Sequence, residues 1–367
     1  MHSSLLTYIQ MLNSTPTAPF REQWICRVLD DLLSSIPGLE MAADRFGNRI
    51  VRLRRGEPPG PPATFVAHLD HPGFLVAPDA IRNGSYTYTA FFEGRVASSY
   101  FPKSRVRLFR TPDDSGVPAV VEACTEEDPN RNNRQVSLRS DEAADGAVLA
   151  MWDIPPFVLR DGHVEARVCD DLVGCAVILE ALRRLAAEPH VDVCAIFSRA
   201  EEAGFCGVLC LLAEPSLHPL LDPQGVFISV ETSSERPGIS VGDGAVIRLG
   251  DRMSTFEAAV VDKMWAVAKA RMIPARRVLM DGGTCEATAF ARAGLRTGGV
   301  CIPLRNYHNM DKERGGIAPE IVSTSDASAL ADLITEFVLH QYDKTESDIY
   351  SSQDFDLFLN KGRTHLI

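Results

Sequence analysis

Residues 63–70 read Ala-Thr-Phe-Val-Ala-His-Leu-Asp, a largely apolar run that leads directly into a histidine and an aspartate. A run of this kind, bounded by turns, is typical of a strand buried inside a helix-covered sheet. His68 and Asp70 stand two residues apart, so an extended backbone projects both side chains to the same side. We expect the carboxyl end of this strand to present them to a ligand crevice.

Strands and helices alternate along much of the chain. Strand-like apolar runs near Val191–Phe197, Gly225–Val230 and Gly298–Ile302 are separated by helical stretches such as Leu172–Ala187 and Ser325–Leu339. This alternation predicts an α/β fold built on a mostly parallel, helix-covered sheet. Residues 77–162 differ, because their short β-type runs are separated by Pro, Gly and Asp turns and show no helical period. That stretch predicts a small β-rich domain inserted into the α/β domain.

The overall composition excludes several classes of function. The chain has 367 residues, with 37 basic and 49 acidic side chains and a net charge of −12. An acidic chain without a Lys/Arg run repels phosphate backbones, so we expect no nucleic-acid binding. Its apolar runs are too short to span a bilayer, and its first residues show no secretion signal. Nine scattered cysteines without a Cys-x-x-Cys motif are typical of reduced thiols, so we expect a cytoplasmic protein.

Histidine and acidic residues cluster where apolar runs end and turns begin. The clusters are His68-Leu69-Asp70, Cys169-Asp170-Asp171, Glu201-Glu202, Glu231 and Asn306-Tyr307-His308. Adjacent glutamates repel each other unless a cation or a shared proton relieves them, so one could bind metal while its neighbour acts as a general base. Taken singly, each cluster also has a plainer interpretation: a hydrogen-bonded histidine at a strand end, an aspartate N-cap, or a solvated acidic turn.

The order and spacing of these clusters resemble those of the M42 family of metallo-aminopeptidases, of the glutamyl and tetrahedral aminopeptidase type within the zinc-exopeptidase clan. The resemblance extends from about residue 5 to residue 342. The matching motifs are Asp44-x-x-Gly47-Asn48, Ala67-His68-Leu69-Asp70-x-x-Gly73-Phe74, Asp170-Asp171-x-x-Gly174-Cys175-Ala176, Glu201-Glu202-x-Gly204-x-x-Gly207, Gly282-Gly283-Thr284 and Pro303-x-Arg305-x-x-His308. The resemblance implies a catalytic metallopeptidase domain at residues 1–76 and 163–345, with a lid or dimerisation domain inserted at residues 77–162.

The resemblance also implies two divalent metal ions per chain, of the Zn²⁺, Co²⁺ or Mn²⁺ class. His68, Asp170 and Glu231 would hold one ion. Asp170, Glu202 and His308 would hold the other, with Asp170 bridging both. Glu201 would act as the general base that activates a metal-bound water, and Asp70 would orient His68. The family's insertion builds homo-oligomers, so a homo-oligomer is expected.

Three positions depart from the family pattern. Glu231 stands where an aspartate is more common, His71-Pro72 replaces an acidic residue, and Cys285 follows Gly-Gly-Thr where an aspartate is usual. These departures leave the implied metal ligands intact and the substrate preference open. We therefore expect a two-metal aminopeptidase acting on short peptides. A metal-dependent amidohydrolase or deacylase acting on a non-peptide amide is the alternative, and a non-catalytic binding protein on the same fold is a third interpretation.

Overall fold

The computed structural model describes residues 3–82, 85–126, 133–343 and 352–365. Within these ranges the helices are α1 (Ser3–Asn13), α2 (Gln23–Ser34), α3 (Leu172–Leu185), α4 (Cys206–Leu212), α5 (Ala258–Ala270), α6 (Ala287–Arg292), α7 (Thr324–His340) and α8 (Ser352–His365). The strands are β1 (Leu39–Ala43), β2 (Arg49–Arg55), β3 (Ala63–His68), β4 (Gly73–Arg82), β5 (Tyr86–Glu93), β6 (Arg105–Phe109), β7 (Val117–Cys124), β8 (Asn133–Ser140), β9 (Leu149–Trp152), β10 (Phe157–Arg160), β11 (His163–Ala166), β12 (Val191–Ser198), β13 (Val226–Ser234), β14 (Ala245–Gly250), β15 (Ala275–Leu279), β16 (Arg296–Leu304) and β17 (Glu320–Ser323).

An eight-stranded sheet in the order β1-β2-β12-β3-β13-β16-β14-β15 forms the centre of the fold. Its middle strands β12, β3, β13 and β16 run parallel, and antiparallel pairs lie towards both edges. Every residue of β3 is buried, as the sequence predicts, and Phe65 and Val66 enter the cores on opposite faces. Apolar residues of α1, α2, α3, α5 and α7 cover one face, and those of α4 and α6 cover the other. The predicted α/β class with a mostly parallel, helix-covered sheet is confirmed.

A second unit is a closed barrel with the strand order β4-β5-β8-β7-β6-β9. Its core is aromatic: the ring centroid of Phe92 lies 4.8 Å from those of both Phe74 and Phe101, and Trp152 packs beside them. The barrel therefore has a hydrophobic core of its own, separate from that of the large sheet. The small β-rich unit expected from the sequence is present. The domain bounds at residues 77–162 and the lid or dimerisation role stay predictions.

Some elements have no counterpart among the sequence predictions. The sequence does not indicate β14, because the buried Arg248 interrupts its apolar pattern. It does not indicate β17 either, because that strand is only four residues long and begins with the buried Glu320. β17 pairs with β11 in a small sheet with β10. None of the helices in the described ranges is long and apolar enough to cross a bilayer.

The barrel core yields a stability prediction. Phe92 is fully buried among aromatic rings, so Phe92→Ala leaves a cavity and should lower the free energy of unfolding by about 3–5 kcal/mol. Urea unfolding followed by tryptophan fluorescence measures this. Leu159→Ala is the control, since Leu159 is 49% exposed and its truncation should change stability little. Equal effects of the two substitutions would contradict the assignment of Phe92 to a close-packed core.

Candidate active site

The parallel strands bring the predicted clusters to one edge of the sheet. His68 ends β3 and pairs with Ser198 at the end of β12, and Glu201 and Glu202 follow shortly after β12. Glu231 lies within the neighbouring strand β13. Because the carboxyl ends of parallel strands lie side by side, residues that are far apart in sequence meet there. Asp170, two residues before α3, and His308, after β16, reach the same place.

Asp170 stands between the two histidines. Its Oδ1 lies 3.5 Å from Nε2 of His68, and its Oδ2 lies 3.7 Å from Nε2 of His308. His308 Nε2 is also 3.0 Å from Oε1 of Glu202. Two groups, His68/Asp170/Glu231 and Asp170/Glu202/His308, each offer ligand atoms that lie within 4.8 Å of one another. The structure thus brings together the two sets expected from the sequence; their role as ligands stays a prediction.

Several polar atoms of this cluster lack partners of their own. Glu202 Oε1 and His308 Nε2 make no hydrogen bond among the described residues although they lie only 3.0 Å apart. A buried polar group without a partner costs about 1–3 kcal/mol. Converging carboxylate and imidazole atoms are the ligand set that zinc and related divalent cations prefer. The residues present therefore fit metal binding.

Burial and charge oppose each other at the two histidines. Burial lowers the pKa of His68, but Glu201 and Asp170 outweigh it, so the pKa lies well above its usual value. Burial also lowers the pKa of His308, whereas Glu202 and Asp170 raise it, with a net result of about 9. In the metal-free protein both shifts favour the protonated imidazole. A metal ion has to displace these protons in order to bind.

The glutamates respond mainly to burial. Burial raises the pKa of Glu231 to about 7, against the lowering effect of the His68 charge. Burial likewise raises the pKa of Glu201 well above its usual value, with His68 opposing and Glu202 adding to the shift. Oε2 of Glu201 lies 4.0 Å from Nε2 of His68. A carboxyl group with a raised pKa at such a position is suited to take up and return a proton.

Asp70 contacts the site through both its main chain and its side chain. Nδ1–H of His68 donates to the carbonyl oxygen of Asp70 at 3.1 Å, whereas the nearest carboxylate oxygen of Asp70 is 3.7 Å away. The carboxylate accepts the N–H groups of Glu201 at 2.9 Å and Glu202 at 3.0 Å. Orientation of His68 by the Asp70 carboxylate stays a prediction; the carboxylate holds the two amides, and the Asp70 carbonyl makes the shorter contact with His68. Asp70 therefore ties His68 to the glutamate pair.

Asp171 does not behave as a plain N-cap. It occupies the N-cap position of α3, yet its side chain makes no capping hydrogen bond, and both of its oxygens lack partners among the described residues. The carboxylate lies against Gly174, where an added Cβ would come within 2.3 Å of both oxygens. Gly174 is thus needed to admit the Asp171 carboxylate beneath the site.

His308 is oriented by the barrel. Its Nδ1–H donates to the carbonyl oxygen of Arg95 at 2.7 Å, which leaves Nε2 directed at Asp170 and Glu202. The ring of Tyr307 stacks on the imidazole with the centroids 3.8 Å apart. His71 supports the same cluster through the main chain, since its Nδ1–H donates to the carbonyl oxygen of Asp170 at 2.8 Å.

Glu320 is a buried site residue that the sequence did not indicate. Its Oε2 accepts the N–H groups of Cys169 at 2.7 Å and Asp170 at 3.0 Å, and its Oε1 accepts the N–H of His308 at 2.8 Å. One carboxylate thus fixes the two loops that carry Asp170 and His308. No local sequence signal could have found it, since Cys169 lies 151 residues away along the chain.

A cavity of about 420 Å³ adjoins Glu231. Arg248 lines it and is only 3% exposed, and its buried Nε has no hydrogen-bond partner among the described residues. Two other lining residues have partners: Arg236 lies 2.6 Å from Asp281, and Glu235 lies 3.0 Å from Arg305. A buried guanidinium with an unpaired N–H thus lines the cavity.

Known proteins share both sequence and fold with the chain. The family model of M42 glutamyl aminopeptidases matches residues 143–315. A curated protein of Acetivibrio thermocellus, named "Putative aminopeptidase", is 23% identical over 186 residues, which is 49% of this chain and 53% of that protein. The match to this curated relative thus spans about half of its length.

Solved structures extend the comparison to most of the chain. An aminopeptidase of the archaeon Desulfurococcus kamchatkensis has a TM-score of 0.72 and 20% identity, over 91% of this chain and 94% of that one. The TET1 peptidase of Pyrococcus horikoshii, described as assembling into a tetrahedron or a large octahedral shell, has a TM-score of 0.72 and 19% identity, over 91% and 99%. At these identities the structural likeness shows the fold. The chain is thus similar in sequence to M42 glutamyl aminopeptidases over residues 143–315, and it shares the fold of the solved aminopeptidases over most of its length.

Proposed function

We propose that the chain is a two-metal aminopeptidase that removes N-terminal residues from short peptides. The observation that carries the proposal is the pair of groups His68/Asp170/Glu231 and Asp170/Glu202/His308, which share one carboxylate. Two sites joined by a bridging carboxylate hold two divalent cations close together. Each group would hold one cation, with Asp170 between them.

The residues around this centre have different roles in the reaction. Two cations of the Zn²⁺, Co²⁺ or Mn²⁺ class would supply Lewis acidity, lowering the pKa of water and polarising the scissile carbonyl. Glu201 takes the proton of the attacking water and returns it to the leaving amine, which its raised pKa favours. Asp70 holds the main chain of Glu201 in place through the N–H groups that its carboxylate accepts.

The cavity beside Glu231 is suited to the side chain of the N-terminal residue. The matched family is described as glutamyl aminopeptidases, and Arg248 offers a physical basis for an acidic preference in this chain. A buried guanidinium with an unpaired N–H gains charge-assisted hydrogen bonds from a carboxylate, which a neutral side chain cannot supply. We therefore include peptides with an N-terminal Glu or Asp as the preferred substrates.

We further propose that the chain forms a homo-oligomer in the cytoplasm. Relatives of this fold are described as a dodecamer and as a tetrahedron, which supports a homo-oligomer. The separate aromatic core of the barrel supports an inserted domain, which we propose spans residues 77–162 and acts as a lid or dimerisation domain. Nine unpaired cysteines agree with a location in the cytoplasm.

The role of Glu201 gives the first test. Glu201→Gln removes the base but keeps the shape, so turnover should fall by about 10²–10⁴-fold while the protein still binds roughly two metal ions per chain. Metal-stripped protein is reloaded with Zn²⁺, Co²⁺ or Mn²⁺ and assayed on matched peptides with free and acetylated N-termini. Glu257→Gln, which neutralises a surface ion pair with Arg296, is the control and should keep its activity. Faster cleavage of the acetylated peptides would instead favour a deacylase.

The raised pKa values predict a pH dependence of metal affinity. In the metal-free protein His308, with a pKa of about 9, and Glu231, with a pKa of about 7, hold protons that the metal must displace. Apparent affinity should therefore rise with pH between 6 and 9, by about tenfold per unit for each proton released. Calorimetric titration in buffers of different ionisation enthalpy measures the number of released protons. An affinity that is flat over this range would contradict ligation by His308.

Arg248 gives a test of specificity. Arg248→Met keeps the length of the side chain but removes its charge, so kcat/KM for peptides with N-terminal Glu should fall by about 10- to 100-fold relative to matched N-terminal Leu peptides. Arg236→Met is the matched control, because Arg236 lines the same cavity but pairs with Asp281. An unchanged Glu-to-Leu ratio in Arg248→Met would exclude Arg248 as the determinant.

A further inference from the structure

Glu22 is a fully buried carboxylate that lies directly before α2. Its Oε1 accepts the N–H groups of Phe20 at 2.8 Å and Ala200 at 2.9 Å. Its Oε2 accepts hydrogen bonds from two nitrogens of the Arg199 guanidinium, at 2.7 and 2.8 Å. Glu22 is thus bound to both residues that directly precede Glu201 in the chain.

The segment from Arg199 to Glu202 is held by side chains. The N–H of Arg199 donates to Asn48 Oδ1 at 3.0 Å, that of Ala200 donates to Glu22, and those of Glu201 and Glu202 donate to the Asp70 carboxylate. These four consecutive amides thus donate to side-chain oxygens of three residues near the N-terminal end of the chain. The conformation of the segment therefore depends on those three residues.

Ala200 adopts a backbone conformation that needs such support. Its φ is 52°, in the left-handed region, which is unfavourable for a residue other than glycine. This turn at Ala200 precedes the two amides that donate to Asp70. Glu22 accepts the N–H of the strained residue itself, so its hydrogen bond stabilises the turn from which Glu201 and Glu202 project.

The Arg199 guanidinium is enclosed on its other side. One of its nitrogens donates to the carbonyl oxygen of Phe46 at 2.8 Å, and a Cβ added at Gly47 would lie 2.7 Å from the same nitrogen. The Asp44-x-x-Gly47-Asn48 motif thereby acquires a physical role. Gly47 leaves room for the guanidinium, and Asn48 accepts the main-chain N–H of Arg199.

We propose that Glu22 is a positioning residue that sets the geometry of Glu201 and Glu202 by anchoring Arg199 and Ala200. It acts through the main chain of the segment. The inference rests on the proposed function of the two glutamates and adds to it a residue outside the metal cluster. Loss of the Glu22 charge frees the guanidinium and weakens the turn, so the two carboxylates lose their fixed position.

The test compares Glu22→Gln with Asp192→Asn in the full chain. Asp192 is also buried and lies at the opposite end of β12. Its carboxylate accepts hydrogen bonds from two nitrogens of the Arg52 guanidinium, at 2.6 and 2.8 Å. Both substitutions remove a buried carboxylate charge from an arginine pair, so their effects on the melting temperature should be similar. Each variant is examined by hydrogen exchange of residues 199–205, by visible absorption of the Co²⁺-loaded protein, and by peptide kinetics.

Glu22→Gln should raise amide exchange in this segment at least about tenfold and change the Co²⁺ absorption. It should lower kcat by about 10- to 100-fold with KM within about twofold, whereas Asp192→Asn should leave all three properties close to wild type. Equal exchange and equal absorption in the two variants would overturn the proposal.

The outcomes separate this inference from the proposed function. If the metal-loaded wild-type protein cleaves no peptide, the proposed function fails, and the exchange and absorption measurements still decide whether Glu22 positions the glutamates. Should Glu22→Gln fail to fold, Arg199→Lys replaces it. That variant keeps the positive charge but loses the two-nitrogen contact with Glu22, so the same changes are expected in the same measurements.

Discussion

The structure depends on a concentration of buried negative charge at the carboxyl ends of its central strands. The buried carboxyl groups at this place are Asp70, Asp170, Asp171, Glu201, Glu202, Glu231, Glu286 and Glu320. Burial disfavours each charge, and like charges repel, so the set is stable only with protons or cations among its members. Burial raises the pKa of Glu286 to about 8, which shows how strongly this environment favours uptake of positive charge. A metal centre relieves the same repulsion that protons relieve at low pH.

The carboxylates have two different tasks. Glu202 and Glu231 direct oxygens at the shared crevice, whereas Glu22, Asp70 and Glu320 accept main-chain N–H groups of the loops that carry the site residues. These loops begin where the strands end, so no neighbouring strand is available to accept their amides. Side-chain carboxylates take over that function, and the amides in turn stabilise the ionised carboxylates.

The sequence predicts the parts of the fold that have local signatures. Stretches of about ten residues are enough to predict the apolar run before His68, the glutamate pair after β12 and each alternation of a strand with a helix. Glu320 and Arg248 have no such signature, because a buried charged residue interrupts an apolar strand pattern and its partner lies far away in the chain. The hydrogen bond from His68 to the Asp70 carbonyl could not be predicted from the sequence either, because a sequence motif indicates roles for side chains and not for main-chain atoms.

The hydrogen bond from His308 to the carbonyl oxygen of Arg95 joins the barrel to the crevice. Arg95 follows β5, so displacement of the barrel would remove one of the contacts that orient the imidazole. The two effects are thermodynamically linked. If displacement of the barrel lowers metal affinity by a given factor, metal binding disfavours that displacement by the same factor. A filled metal site would therefore hold the barrel against the crevice, and a displaced barrel would loosen the site.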